Sequence, residues 1–177
     1  HGSIYDALTA NKLQWRLYND NTDAYSDNPQ NGSLFGALPQ VTALKNVTLL
    51  EVNSLTHFAS DLQGPYPYQY TFIEPNYGDV TSNTYVGGSS QHPMDDIYGG
   101  EALIKGVYEA IRNSPLWETS LLIITYDEHG GFYDSVAPPP AAPPADGSGT
   151  AYNDTGFAFD LLGVRVPAIE GKARVVV

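Results

Sequence analysis

Apolar positions recur along the chain with two periods, and the elements follow from them. Ile4, Tyr5, Ala7 and Leu8 mark a short helix that ends near Asn11. Leu13, Trp15 and Leu17 then alternate with polar Gln14 and Arg16, which predicts a strand. Residues 19–33 are dense in Asn, Asp, Ser and Gly and read as a surface loop. Leu50, Val52, Leu55 and Phe58 have an irregular, helix-like spacing within 49–61, stopped by Gly64-Pro65-Tyr66-Pro67. Residues 68–74 are aromatic and β-branched, and predict a strand with Glu74 at its C-terminal end and Pro75 closing it. Residues 77–94 are rich in Gly, Ser and Asn and form a loop. The clearest helix covers 100–113, where Leu103, Ile104, Val107, Tyr108 and Ile111 make one apolar stripe ahead of Ser114-Pro115. The run 120–126 is continuously apolar, which predicts a strand buried on both faces. It ends in Asp127-Glu128-His129-Gly130-Gly131. Residues 138–149 are Pro-, Ala- and Gly-rich and exclude regular structure, and 164–166 reads as one more short strand.

Strand, loop, helix and buried strand in that order is the pattern of an α/β fold. In open α/β sheets, chemistry gathers beyond the carboxyl ends of strands. Two such ends carry acids here: Glu74, and the pair Asp127-Glu128. Adjacent carboxylates leaving a buried strand are costly unless their charge is compensated. Where the strand breaks at Gly130-Gly131 both can turn toward one point, and a divalent cation with oxygen ligands is a natural compensator. His129 is then a ligand or a donor to a phosphate oxygen. The alternative is an ordinary turn at a sheet edge. His92, in the loop before Pro93, is either a donor to a bound oxyanion or a solvated loop residue. His57, beside Phe58, reads as structural, and Asp95-Asp96 as a solvated pair or a cap ahead of the helix.

Composition narrows the classes. The net charge is −12 over 177 residues, with a pI of about 4.4, which argues against nucleic acid and against a basic membrane-surface helix. No apolar run approaches the roughly 20 residues of a membrane span. Cys is absent, so any metal site must use oxygen or imidazole ligands. The start at His1 lacks an initiator Met and a signal-like segment, which is expected of a processed chain or a fragment. Sequons at Asn31, Asn46 and Asn153 are what a secreted glycoprotein would carry, although a chain so rich in Asn, Ser and Thr also produces them by chance.

Several stretches, taken together, resemble a known family. They are Tyr70-Thr71-Phe72-Ile73-Glu74-Pro75-Asn76-Tyr77, His92-Pro93, the helix from Gly100 to Ile111, Ser114-Pro115-Leu116-Trp117, Thr125-Tyr126-Asp127-Glu128-His129-Gly130-Gly131-Phe132-Tyr133-Asp134 and Pro138-Pro139-Pro140. In order and spacing they resemble the phosphoesterase family of bacterial non-haemolytic phospholipases C and acid phosphatases, in its secreted fungal form. The resemblance spans about residues 3–169. It implies an alkaline-phosphatase-like α/β/α sandwich with a mixed central sheet, incomplete here. Residues 1–169 are expected to be the C-terminal portion of the domain, and 170–177 an unmatched tail.

The resemblance further implies hydrolysis of phosphate esters, phospholipid or phosphomonoester, through a metal-bound hydroxyl nucleophile. The metal ligands fall on Asp127 and Glu128, and the phosphate-side His on His92. His129 and Glu74 are candidates for contact with phosphate or for orienting the ligands. The nucleophile and a further Glu-Asn ligand pair are expected upstream of this chain. The ligand types do not discriminate among Ca, Mg, Mn, Fe and Zn. Two departures stand out: Asp134-Ser135-Val136 where the family often has Asp-His-Val, and Glu170-Gly171-Lys172-Ala173-Arg174 where it continues into an apolar strand. Competing expectations are a catalytically inactive remnant of such an enzyme, and a glycosidase using Glu74 or the acidic pair.

Overall fold

The structure, a computed structural model, describes residues 2–20, 40–80, 82–143 and 155–172. The chain divides into two compact units, Gly2–Leu122 and Ile123–Gly171, which are treated separately.

The first unit is built on a three-stranded parallel sheet. Helix α1, Ile4–Ala10, starts from a capping box in which Ser3 accepts the Asp6 N–H and Asp6 accepts the Ser3 N–H, and it ends at Asn11. Strand β1, Trp15–Asn19, lies in the middle of the sheet, flanked by β2, Val52–Ser54, and β3, Tyr70–Glu74. Both pairings are parallel, with Leu17 opposite Val52 and Phe72. The central position changes the reading of β1. Alternation predicts a half-buried strand, yet Leu17, Tyr18 and Asn19 are all buried. Successive side chains point to opposite faces. Leu17 packs with Tyr5 of α1 and with Val47, while Tyr18 packs with Phe58, Leu62, Val107 and Ile111. Helices therefore cover both faces of this sheet.

The helix-like reading of 49–61 is corrected in its first half. Leu49–Glu51 and Leu55–His57 are single 3-10 turns on either side of β2, and only α2, Phe58–Asp61, is α-helical. Pairing of Val52–Ser54 with β1 outweighs local spacing, as tertiary contacts often do for short segments. Helix α3, Tyr98–Arg112, follows the expected stripe: Val107 and Ile111 are buried and Leu103 packs against them.

Strand β4, Leu121–Thr125, begins at the last two residues of the first unit and runs into the second, and it pairs with β5, Ala168–Lys172, in a separate two-stranded sheet. The expectation of a strand buried on both faces is overturned. Leu121 and Ile123 are 55% and 62% exposed, whereas Leu122 and Ile124 are half-buried. Among the described residues of this unit there is no helix to cover the second face. The strand expected at 164–166 is displaced to β5, which takes in Glu170-Gly171-Lys172. In the Pro-rich segment Pro140 makes only an isolated bridge with Leu161, and 144–149 lie outside the described residues.

Four tyrosines make the first unit sensitive to base. Burial, aided at Tyr5 by Tyr70 and Glu74 and at Tyr18 by the bond to Asp61, pushes the phenols of Tyr5 and Tyr18 far up. Burial also raises Tyr66 and Tyr70. Unfolded tyrosines ionise near about 10. Above that pH the unfolded chain gives up protons that the native chain keeps, so stability is intact below it and falls as pH rises past it. The ionisation of Tyr5, Tyr18, Tyr66 and Tyr70, read from their ring NMR signals, and the loss of far-UV circular dichroism should occur together in one transition above about pH 10. Ionisation of these four with native dichroism would contradict this.

Candidate active site

The three parallel strands of the first unit end side by side. Asn19 stands opposite Ser54 on one flank and Glu74 on the other. This edge gathers buried polar groups: Asn19, Asp20, Glu74, Asn76 and Ser89 are all less than a tenth exposed. Glu74 sits at the end of β3, as expected, but it is 2% exposed and bonded within the protein. The Tyr77 hydroxyl donates to Oε1 at 2.9 Å and the Val41 N–H to Oε2 at 3.4 Å. The Glu74 carbonyl accepts the Asp20 N–H at 2.9 Å. A carboxylate so enclosed organises the sheet edge, and the glycosidase reading through Glu74 loses its basis, since that chemistry needs an acid open to a sugar ring.

Asp20, Asn76 and Ser89 were not singled out from the sequence. The Ser89 hydroxyl donates to Asp20 Oδ2 at 2.6 Å and accepts the Asn76 N–H at 3.0 Å, while the Ser89 N–H donates to the Asn76 carbonyl at 2.7 Å. The only available signal was the polar Asn19-Asp20 pair at the end of an apolar strand. Ser89 lies in a Gly/Ser stretch that marks no one residue.

His92 lies half-buried in the loop between β3 and α3. Its ring stacks on Tyr85, with centroids 3.5 Å apart and planes 9° from parallel. Nδ1 accepts the Met94 N–H at 3.2 Å, so the neutral ring carries its proton on Nε2. The backbone around it is closely fitted. Gly78 has φ +66, and a Cβ there would run into the Tyr85 carbonyl. Asp95 accepts the Gly88 N–H at 2.9 Å, which makes it a loop brace, and Asp96 accepts the Tyr98 N–H at 2.9 Å at the start of α3. His57 is exposed where α2 begins, and its backbone carbonyl accepts the Ser60 hydroxyl.

The acidic turn belongs to the second unit. Asp127 and Glu128 are exposed. Asp127 Oδ1 accepts the Glu128 N–H at 3.0 Å, and Glu128 Oε2 accepts the Gly130 N–H at 2.9 Å. His129 Nδ1 lies 3.4 Å from Glu128 Oε2. Gly130 and Gly131 have φ of +65 and +75, conformations open to glycine at little cost. Beyond them Asp134 receives a two-pronged contact from Arg165, both bonds at 2.8 Å, with the Val136 N–H as a third donor. Arg165 first and the Val136 N–H second hold its carboxyl well below the usual range. The segment after the turn is thereby tied to the chain ahead of β5.

A divalent metal is implied by the resemblance, and the turn can be tested for it. Asp127, Glu128 and His129 offer hard oxygens and one imidazole in three successive residues, a fit in donor type. The number falls short, since such cations take about six ligands. Among the described residues no three His, Asp or Glu side chains gather as a metal site. The turn can thus supply part of a coordination sphere. Of the sequons, Asn46 is exposed with φ +67 and donates to Asp6 at 2.9 Å, while Asn31 and Asn153 lie outside the described residues.

Comparison with known proteins identifies the family. The Phosphoesterase family profile matches residues 2–170. Non-specific phospholipase C6 of Arabidopsis thaliana is 36% identical over 167 residues, 94% of this chain and 29% of the relative. Non-specific phospholipase C1 of the same plant is 33% identical over 165 residues, 93% of this chain and 28% of the relative. The non-hemolytic phospholipase C of Pseudomonas aeruginosa is 30% identical over 153 residues, 85% of this chain and 20% of the relative. The chain thus spans less than a third of the length of these relatives. With a profile match over almost all of its residues, the chain belongs to the Phosphoesterase family.

Proposed function

We propose that this chain forms part of a hydrolase of phosphate ester bonds of the phospholipase C type. The observation that carries the reading is the family match across residues 2–170, within which the acidic turn stands directly after β4. The relatives' names favour a phospholipid substrate over the phosphomonoester of an acid phosphatase. Parallel strands covered by helices on both faces support an alkaline-phosphatase-like α/β/α sandwich, of which this chain supplies the C-terminal portion.

In this reading Asp127 and Glu128 hold a divalent cation, with His129 beside them. Bound there, the cation would supply charge stabilisation at a phosphoryl oxygen. His92 donates from Nε2 to a phosphate or leaving oxygen, its other nitrogen being occupied by the Met94 N–H. The attacking hydroxyl comes from outside these 177 residues. Secretion and glycosylation at Asn46 complete the reading, on the strength of the exposed sequon.

The test is to assay a protein carrying the whole family domain on phosphatidylcholine and p-nitrophenyl phosphate, with and without a chelator. Hydrolysis that the chelator abolishes and added metal restores is expected. Chelator-insensitive hydrolysis would defeat the metal assignment, and a mass unchanged by glycosidase treatment after secretion would defeat glycosylation. A second reading, a catalytically inactive remnant, is favoured by one observation: the described residues hold no three-ligand cluster. No turnover of either ester by the longer protein would establish it.

A further inference from the structure

The loop that carries His92 is fastened at one buried point. Ser89 is 8% exposed and its hydroxyl makes two bonds: it donates to Asp20, at the end of the central strand β1, and accepts from Asn76, just past the end of β3. Asp20 is 3% and Asn76 4% exposed. A hydroxyl donating to a carboxylate at 2.6 Å is among the stronger hydrogen bonds of a protein, and burial keeps water from replacing it. The backbone repeats the fastening, since the Ser89 N–H donates to the Asn76 carbonyl at 2.7 Å.

Three residues on, the chain reaches His92 through a run of local bonds. The His92 N–H donates to the Ser90 hydroxyl at 3.3 Å, and the His92 carbonyl accepts the Asp95 N–H at 2.8 Å. The ring itself is held between Tyr85 and the Met94 N–H. All of these partners belong to the same loop. Besides the Tyr77 hydroxyl on Glu74, the loop meets the sheet edge at Ser89, whose hydroxyl joins two strand ends at once.

We propose that Ser89, clamped between Asp20 and Asn76, is a positioning residue for His92, holding the loop that carries the ring to the sheet edge, with Nε2 as the nitrogen that meets a phosphate oxygen. The assignment of Ser89 and Asp20 rests on the role given to His92 above, and goes beyond it by naming what places that side chain. Neither Asp20 nor Ser89 touches substrate in this scheme. They act through the loop, and a displacement of about 1 Å at a reacting group can cost about a hundredfold in rate.

Two variants of this chain test it, Ser89→Ala and Asp20→Asn. The second keeps an oxygen that can accept the Ser89 hydroxyl but removes the charge. In 15N-edited spectra of the histidine rings, the unaltered chain should show His92 with Nδ1 as acceptor and Nε2 protonated, and with ring protons displaced by the Tyr85 stack. Ser89→Ala should move the His92 signals toward mixed tautomers and abolish the displacement, while the signals of Tyr18 and Phe58 stay in place. Asp20→Asn should shift His92 in the same direction by less. In the complete enzyme kcat should fall about tenfold to a hundredfold, with KM within about twofold. His92 signals unmoved in both variants would overturn the proposal. Loss of the Tyr18 and Phe58 signals in both would also overturn it, because the bond would then hold the core and not the loop. Moved ring signals with unchanged kcat would uphold the positioning and defeat the role of His92 in hydrolysis, which keeps the two readings separable.

Discussion

Asp127→Asn, made in a protein that carries the whole family domain, is expected to lower hydrolysis of phosphate esters by at least about a hundredfold and to leave the fold intact. The size follows from the site. Changing a group that merely orients a ligand costs about ten- to a hundredfold in metal affinity or activity, and Asp127 is placed as a ligand itself. The intact fold follows from its surroundings. Asp127 is exposed, and its one described bond is to the Glu128 N–H, which the amide oxygen of Asn can accept as well. Removing one of two neighbouring carboxylates also relieves their repulsion. A surface change of this kind moves stability by about half a kcal/mol or less. Turnover of phosphatidylcholine and p-nitrophenyl phosphate, measured beside thermal melts of both proteins, checks the two halves together. Full turnover with an unchanged melt would remove Asp127 from the metal site. A melt lowered by several degrees would show that the carboxylate supports the turn through contacts other than this one.

How much of this was legible in the chain depended on the range of the interaction. Helix α3 could be read because Leu103, Val107 and Ile111 repeat at the helical period, and a local period needs no partner to be seen. Strand β3 could be read from aromatic and β-branched residues closed by Pro75. Strand β2 could not, because three residues become a strand only through pairing with β1, some 35 positions away. The continuous apolar run of β4 is the pattern of a strand covered on both faces of an α/β sheet. Ile123 and Leu121 show otherwise among the described residues. The site divides the same way. Asp127, Glu128 and His129 are adjacent in sequence, so they are named together by one short motif, although among the described residues they do not gather as a metal site. Asp20 and Ser89 meet across 69 positions, and nothing local in Gly88-Ser89-Ser90 distinguishes the serine that bonds to a carboxylate from the one beside it.

Leu17→Ala is expected to cost the first unit about 2–5 kcal/mol, toward the upper end of what buried Leu-to-Ala changes cost. Leu17 is 1% exposed in the middle strand of the sheet. On its face it packs with Tyr5 of α1 and Val47, and the half-buried Trp15, Val52, Tyr70 and Phe72 close around that cluster. A cavity costs most where its walls cannot move in. Here strands hydrogen-bonded on both sides fix two walls, and Tyr5, packed edge-on or tilted against both Trp15 and Tyr70, fixes a third. A loss of this size is a large fraction of the 5–15 kcal/mol that holds a typical domain. Ile123→Ala is the matched control. It removes a similar side chain that is already 62% exposed, and should cost about 1 kcal/mol or less. Urea unfolding followed by tryptophan fluorescence measures both, since Trp15 borders the cavity and Trp117 packs at the other core. The midpoint should fall sharply for Leu17→Ala with an unchanged slope, and barely for Ile123→Ala. Because β1 ends at Asn19 and Asp20, the first variant should also loosen the clamp on Ser89, so its His92 signals should broaden before the core unfolds. Equal midpoints for the two variants would mean that the face of β1 toward α1 can collapse around a void, and that the central strand is held by its pairing alone.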